Sequence, residues 1–213
     1  MKLFTLEDLT YSYGTKQKNV INHMNYTFEN GNIYSIVGKS GAGKTTLLSL
    51  LSGLTKPTGG SILFEGKDIS KINPYEFRSK YVGVIFQSFN LLPHLTAIEN
   101  VILSMDISGK KILNKKNEAL KLLNNVGFDE GMSHRRILKL SGGEQQRVAI
   151  ARTLSYDPSV ILADEPTGNL DGETQNSIME IFNKLAHDEE KCVIIVTHSP
   201  DIATSSDIVF ELN

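Results

Sequence analysis

Four short strings in this chain carry residues whose types and spacing could do chemistry. Gly38-Lys39-Ser40-Gly41-Ala42-Gly43-Lys44-Thr45, followed by Thr46, fits the pattern G-x-x-x-x-G-K-[ST] of a phosphate-binding loop. Its glycines let the backbone wrap closely around an anion with N–H groups turned inward. A helix that starts at the loop adds its positive end. Lys44 then meets the β- and γ-phosphates of a nucleotide, and the Thr45 hydroxyl holds Mg²⁺. The bland alternative is a glycine-rich turn capping a helix; a strand before the loop and a helix after it count against that.

The second string is Asp164-Glu165-Pro166, at the end of the apolar run Val160–Ala163. Two carboxylates there are expensive unless a cation or a reaction uses them, although simple solvation of a strand end stays open. Asp164 suits Mg²⁺ beside a phosphate loop, and Glu165 is placed to orient or deprotonate water. The third is Thr197-His198, after the apolar run Cys192–Val196. A lone histidine is more often structural, but open α/β sheets bind ligands at the carboxyl ends of their strands. The fourth is Leu140-Ser141-Gly142-Gly143-Glu144. Ser141 and Glu144 have capping-box spacing, yet a capping box alone does not require two adjacent glycines. Ser141, Gly142 and Gly143 also offer a hydroxyl and N–H groups to an outside anion. Because the phosphate site has its own loop, the economical reading is that they grip phosphate bound to another copy of the chain.

These groups need elements to hold them. Ile33–Val37, Val160–Ala163 and Cys192–Val196 read as buried strands, the last two as continuous apolar runs covered on both faces. Helical periodicity alternates with them. Lys44–Leu54 places Leu47, Leu51 and Leu54 on one face, Gly143–Tyr156 places Val148, Ala151 and Leu154, and Gly172–His187 places Ile178, Ile181 and Leu185. That alternation predicts a parallel α/β sheet. Residues 1–30 and 60–85, with turn signals at Gly31 and Gly59-Gly60, predict a smaller, partly antiparallel sheet. Residues 89–140 carry no strand pattern; Thr96–Met105 and Lys115–Val126 predict helices, so this stretch reads as a helical insertion.

Composition bounds the rest. The 213 residues suit one large domain or two small lobes sharing a core, and 40% hydrophobic with 22% charged is ordinary folded usage. A net charge of −2 argues against a nucleic-acid partner. The longest apolar run is far below the ~20 residues a bilayer span needs, and the N-terminus lacks signal-peptide features. One cysteine, Cys192, excludes an intrachain disulfide and points to a reducing compartment.

Taken together, the strings resemble the nucleotide-binding subunit of ATP-binding cassette (ABC) transporters over essentially all 213 residues. GKSGAGKTT at 38–46 is similar to Walker A and VILADEP at 160–166 to Walker B with its glutamate. LSGGEQQRVAIARTL at 140–154 resembles the signature segment, by far the most family-specific string. Gln87 matches the Q-loop glutamine, GNLDGET at 168–174 the D-loop, and His198 the switch histidine. Tyr13 matches the aromatic that stacks on adenine, with Tyr11 close enough to compete.

The resemblance implies a P-loop ATPase of the ABC fold, a single domain over 1–213. It has a mainly parallel core sheet, a small antiparallel β subdomain and an inserted α-helical subdomain at about 89–156. It implies ATP and Mg²⁺ as cofactors, with Thr45, Gln87 and Asp164 at the metal, Glu165, His198 and Lys44 in catalysis, and Asp171 linking sites across a homodimer. It also implies a membrane permease received at Phe89, Leu91, Leu92 and Leu95, although these could be local core. The subunit would then sit on the inner face of the cell membrane.

ADEPTGNLD at 163–171 and FQSFNLLPHLTAIENV at 86–101 resemble the lipoprotein-release, macrolide-export and peptide-resistance group. A cell-division type of regulation without transport stays open. Residues 89–140 are too short for the coiled coils of chromosome-organising relatives, translation-associated ones fuse two cassettes, and a P-loop kinase needs no signature segment.

Overall fold

The computed structural model describes residues 1–14, 19–168 and 170–212. The elements run β1 (Lys2–Tyr11), β2 (Ile21–Glu29), β3 (Ile33–Val37), α1 (Lys44–Leu51), β4 (Gly59–Phe64), β5 (Lys67–Asp68), α2 (Pro74–Lys80) and β6 (Val82–Ile85). There follow α3 (Ala97–Ser108), α4 (Lys115–Asn125), α5 (Glu130–Ser133), α6 (Gly142–Leu154), β7 (Val160–Asp164), α7 (Gly172–Asn183), β8 (Cys192–Val196), α8 (Pro200–Thr204) and β9 (Ile208–Glu211). One sheet is parallel with order β6-β7-β8-β3-β9. The other is antiparallel with order β2-β1-β4-β5.

The apolar runs of β7 and β8 are continuous because both faces are covered. Ile161, Ala163, Val193 and Ile195 pack with α3, α4, α6 and α7. Val160, Leu162, Cys192, Ile194 and Val196 pack with α1 and the antiparallel sheet. Cys192 is buried, and burial pushes its thiol pKa up, as a small core residue. Between residues 97 and 154 the described elements are helical, with Val101, Met105, Leu123 and Val148 sharing one core.

Several sequence expectations are corrected. Strand β6 belongs to the parallel sheet, not the smaller one, and α2 precedes it. Gly59-Gly60 opens β4 instead of turning; Gly60 lies where β1 bulges, so a Cβ there would sit 2.3 Å from the Asp8 carbonyl oxygen. The first helix stops at Leu51, since Gly53 is left-handed, and Leu54 is 55% exposed. The helix predicted to reach His187 is α-helical to Asn183 and then widens into a π turn over Lys184–Asp188, which buries both Leu185 and Ala186. Strands β6 and β9 carry no signal that the periodicity caught.

Candidate active site

Register places the chemistry. Ile36 pairs with Val196, and Val196 with Asp164, so β3, β8 and β7 end at one level. Ile85 of β6 pairs with Ala163, which brings Gln87 to the same edge. The Glu165 N–H donates to the Val196 carbonyl at 2.9 Å, and the Thr197 N–H to that of Ile36 at 3.2 Å. The ends of three parallel strands therefore deliver a phosphate loop, an acidic pair and a histidine to one cleft of about 690 Å³.

In the loop, Lys44 is 6% exposed, and its Nζ donates to the carbonyls of Gly38 (2.8 Å) and Lys39 (3.1 Å). Gly43 has φ 97°, and a Cβ there would stand 2.7 Å from Val20 Cγ1, so the loop passes beneath Val20 only as glycine. Ser40, Gly41, Gly43, Lys44, Thr45 and Thr46 line the cleft; Gly38, Lys39 and Ala42 do not, and the Ala42 N–H closes the loop on the Lys39 carbonyl at 3.1 Å. Tyr13 lines it too and Tyr11 does not. The Tyr13 and Thr46 hydroxyls are 2.7 Å apart, and the Tyr11 ring packs edge-on against that of Tyr13 at 5.2 Å. Tyr13 is 66% exposed, so a flat apolar ligand could cover its ring.

The carboxylates differ. Burial pushes the Asp164 carboxyl above the ordinary aspartate value, a shift that the Thr45 hydroxyl and the charges of Lys44 and His198 partly offset. Its Oδ1 lies 3.5 Å from Thr45 Oγ1. A half-buried carboxylate beside a hydroxyl, with the Gln87 amide in the same cleft, is an all-oxygen donor set of the hard kind that Mg²⁺ accepts when phosphates and waters complete its shell. Those residues fit that cation. Glu165 has φ 47° and lines the cleft. Its Oε2 accepts the His198 N–H at 3.3 Å. Its buried Oε1, 3.4 Å from His198 Nε2, has no hydrogen-bond partner among the described residues. An anionic oxygen held but not satisfied is a ready acceptor for a proton from water.

Ser141, Gly142 and Gly143 do not line this cleft. Ser141 and Glu144 form a full capping box: Ser141 Oγ accepts the Glu144 N–H at 3.3 Å, and Glu144 Oε2 accepts the Ser141 N–H at 2.6 Å. Gly143 has a reason inside its own chain, since a Cβ would lie 2.5 Å from Thr174 Cγ2. Ser141 and Gly142 are exposed. Asp171 caps α7, accepting from the N–H and hydroxyl of Thr174, both at 2.9 Å. Asn169, part of the D-loop string, lies outside the described residues. Of the apolar segment after Gln87, Leu92 is 48% exposed, Phe89 and Leu95 are half-buried, and Leu91 packs against the helical core. Sequence reasoning missed Thr167, Gly168 and Gln175, which also line the cleft. Gln175 donates to the carbonyls of Thr167 (3.3 Å) and Leu170 (2.9 Å), fixing the loop after Glu165.

Comparison with known proteins addresses the family and the fold. The family profile described as ABC transporter matches residues 21–168. The chain is 47% identical over 213 residues to an uncharacterized ABC transporter ATP-binding protein, YclH, of Bacillus subtilis, covering 100% of this chain and 94% of that protein. It is 38% identical to the macrolide export ATP-binding/permease protein MacB of Syntrophobacter fumaroxidans, over 95% of this chain and 29% of MacB. Among solved structures, the dimeric post-hydrolysis state of the ATP-binding cassette MJ0796 bound to ADP and Pi superposes with a TM-score of 0.89 at 33% identity, covering 99% and 94% of the two chains.

Proposed function

The chain belongs to the ABC transporter family and is an ATPase, and from that premise we propose how it works and what it drives. It binds ATP in the cleft at the strand ends of 1–213, read as a single ATPase domain whose helical part, about 89–156, carries the signature segment. The adenine lies on Tyr13 and the phosphates in the loop from Gly38 to Thr46, with Lys44 moving from the Gly38 and Lys39 carbonyls to the β/γ-phosphates. Thr45, Gln87 and Asp164 would hold Mg²⁺, which would supply neutralisation of the phosphate charge.

Water attacks the γ-phosphorus, and the bond from it to the β–γ bridging oxygen breaks. The water proton passes to Glu165, leaving ADP and phosphate. His198 holds the γ-phosphate and, through its backbone N–H, the Glu165 carboxylate. The observation that carries this reading is the convergence of Lys44, Asp164, Glu165 and His198 on one cleft. Ser141, Gly142 and Gly143 of a second copy close the site, and Asp171 communicates between the two sites.

The driven partner is a membrane permease. Similarity to MacB and the string at 163–171 support export or extraction of peptide, lipoprotein or antibiotic-like substrates. The exposed Leu92 and half-buried Phe89 and Leu95 form the contact; Leu91 supports it from the core side. ATP titration calorimetry tests the cleft: Lys44→Ala lowers affinity sharply, and unchanged affinity refutes the assignment. Leu92→Ser in a permease pull-down tests the contact: recovery drops while ATP binding holds. Full recovery, or loss of ATP binding, removes Leu92 from the interface.

A further inference from the structure

The turn that follows Gln87 is built against backbone preference. Phe89 and Asn90 both lie in the left-handed region, with φ of 58° and 50°, and neither is glycine. Asparagine visits that region readily, but a phenylalanine in it, followed by a second left-handed residue, persists only when its surroundings hold it there. The Asn90 N–H also folds back on the Ser88 carbonyl at 2.6 Å, a reach of only two residues.

Arg152, in the last turn of α6, supplies the constraint. Its Nη2 donates to the Phe89 carbonyl at 2.9 Å, and its Nη1 donates to that of Asn90. No acidic side chain pairs with Arg152 among the described residues, and burial lowers its pKa. Spending a desolvated guanidinium on two neutral carbonyls makes sense where its rigid fork fixes geometry. The far flank is fixed as well. Asn100, 2% exposed, accepts the Leu92 N–H at 2.8 Å and donates to the carbonyls of Leu92 (3.2 Å) and Thr96 (2.9 Å).

The clamp therefore joins three places. Gln87, two residues before the turn, lines the nucleotide cleft. Leu92, two residues after it, is exposed. The helix that carries Arg152 starts at Ser141. We propose that Arg152 is a positioning residue that holds the turn between Gln87 and Leu92 in its left-handed form and so sets where Gln87 stands in the cleft. The strained turn is the two-state element: held left-handed by Arg152, and free to relax toward extended backbone without it. The proposal rests on the nucleotide-cleft reading above.

The test uses the full-length purified chain and four proteins: parent, Arg152→Met, Asn90→Gly and the double variant. Methionine keeps an apolar stem and removes the fork; glycine takes a φ near 50° without steric penalty, so the turn survives unclamped. Arg152→Met lowers kcat ~10-fold and leaves the KM for ATP within ~2-fold, because the phosphate loop is untouched. Asn90→Gly alone stays within ~2-fold of the parent, and the double variant regains at least about half of the parental kcat. A purely structural arginine gives a different pattern: lost thermal stability and weaker ATP binding, with no recovery from glycine.

Parental kcat in Arg152→Met, or a fall that Asn90→Gly does not restore, overturns the proposal. If Arg152→Met does not fold, Arg152→Lys with and without Asn90→Gly makes the same comparison. A parent chain that hydrolyses ATP through Lys44 while ignoring Arg152 sinks the clamp alone. A parent that does not use Lys44 sinks the cleft reading itself.

Discussion

Two regions that we propose meet nucleotide phosphate differ in how much of each one chain holds in place. The cleft at the strand ends has its charged groups held in place within one chain: Lys44 is buried and bonded to its own loop, Asp164 faces Thr45, and the His198 backbone N–H donates to Glu165. The start of α6 is the opposite case. Ser141 and Gly142 are exposed, satisfied only by their own capping box, and face no group of the same cleft. The difference teaches that burial and preorganisation mark where we place the chemistry, whereas the exposed helix start is the surface that we propose a second copy covers. Preorganised charge acts on a reacting group without reorganising; a half-site must first be covered.

Breaking the cleft should have the largest effect. Glu165→Gln removes the proton acceptor and keeps size and hydrogen bonding, so turnover falls ~10²–10⁴-fold while ATP affinity holds, as read by phosphate release beside calorimetry. A parental rate removes Glu165 from the chemistry. Next comes Lys44→Ala, which strips a charge-assisted contact from the phosphates and weakens ATP binding roughly 10–100-fold.

The half-site answers differently. Gly143→Ala puts a methyl against Thr174 Cγ2 and lowers stability by about 1–3 kcal/mol, read from urea midpoints, with no loss of ATP affinity in the isolated chain. Thr174→Ser, which deletes that methyl, restores the midpoint. If it does not, the close approach is not what requires glycine there.

The smallest effect sharpens the comparison on its electrostatic side. Burial raises the Asp164 pKa above its unfolded value, so the folded state holds a proton more tightly. Stability from this group is fully present below the unfolded value of 3.8 and is lost as pH rises through the raised folded value. At neutral pH the charged carboxylate is therefore a strain on the fold. Asp164→Asn raises Tm slightly, on the order of 1–2 °C, while abolishing Mg²⁺-dependent turnover. A Tm below the parent's contradicts the sign.

How much of this was legible in the sequence depended on packing. Strands β7 and β8 announced themselves because sheet and helices cover both faces, which forces unbroken apolar runs. Strand β6 did not, because Gly83 interrupts it; a Cβ there would lie 2.3 Å from Thr153 Cγ2, so the glycine serves the approach of α6 and not a turn. Strand β9 is a sheet edge whose residues alternate between half-buried and exposed, which reads as loop. In the candidate site, the loop glycines, Lys44, Thr45, Asp164 and Glu165 could be read because fixed spacing along one strand end carries the chemistry. Gln175 could not: it acts from a helix interior on the carbonyls of Thr167 and Leu170, a contact that only the fold creates. The positive φ of Phe89 was equally silent, since phenylalanine is not a residue type that signals it.

The central claim is that one chain's cleft is completed by another chain's Ser141 and Gly142. The direct test is light scattering on Glu165→Gln at saturating MgATP, with and without Ser141→Arg. Glu165→Gln retains ATP without consuming it, so it should run as a dimer. Adding Ser141→Arg, whose bulk would occupy the partner's γ-phosphate position, should return it to monomer with the ATP affinity of a single cleft. A Glu165→Gln chain that stays monomeric, or a dimer that Ser141→Arg leaves intact, contradicts the claim.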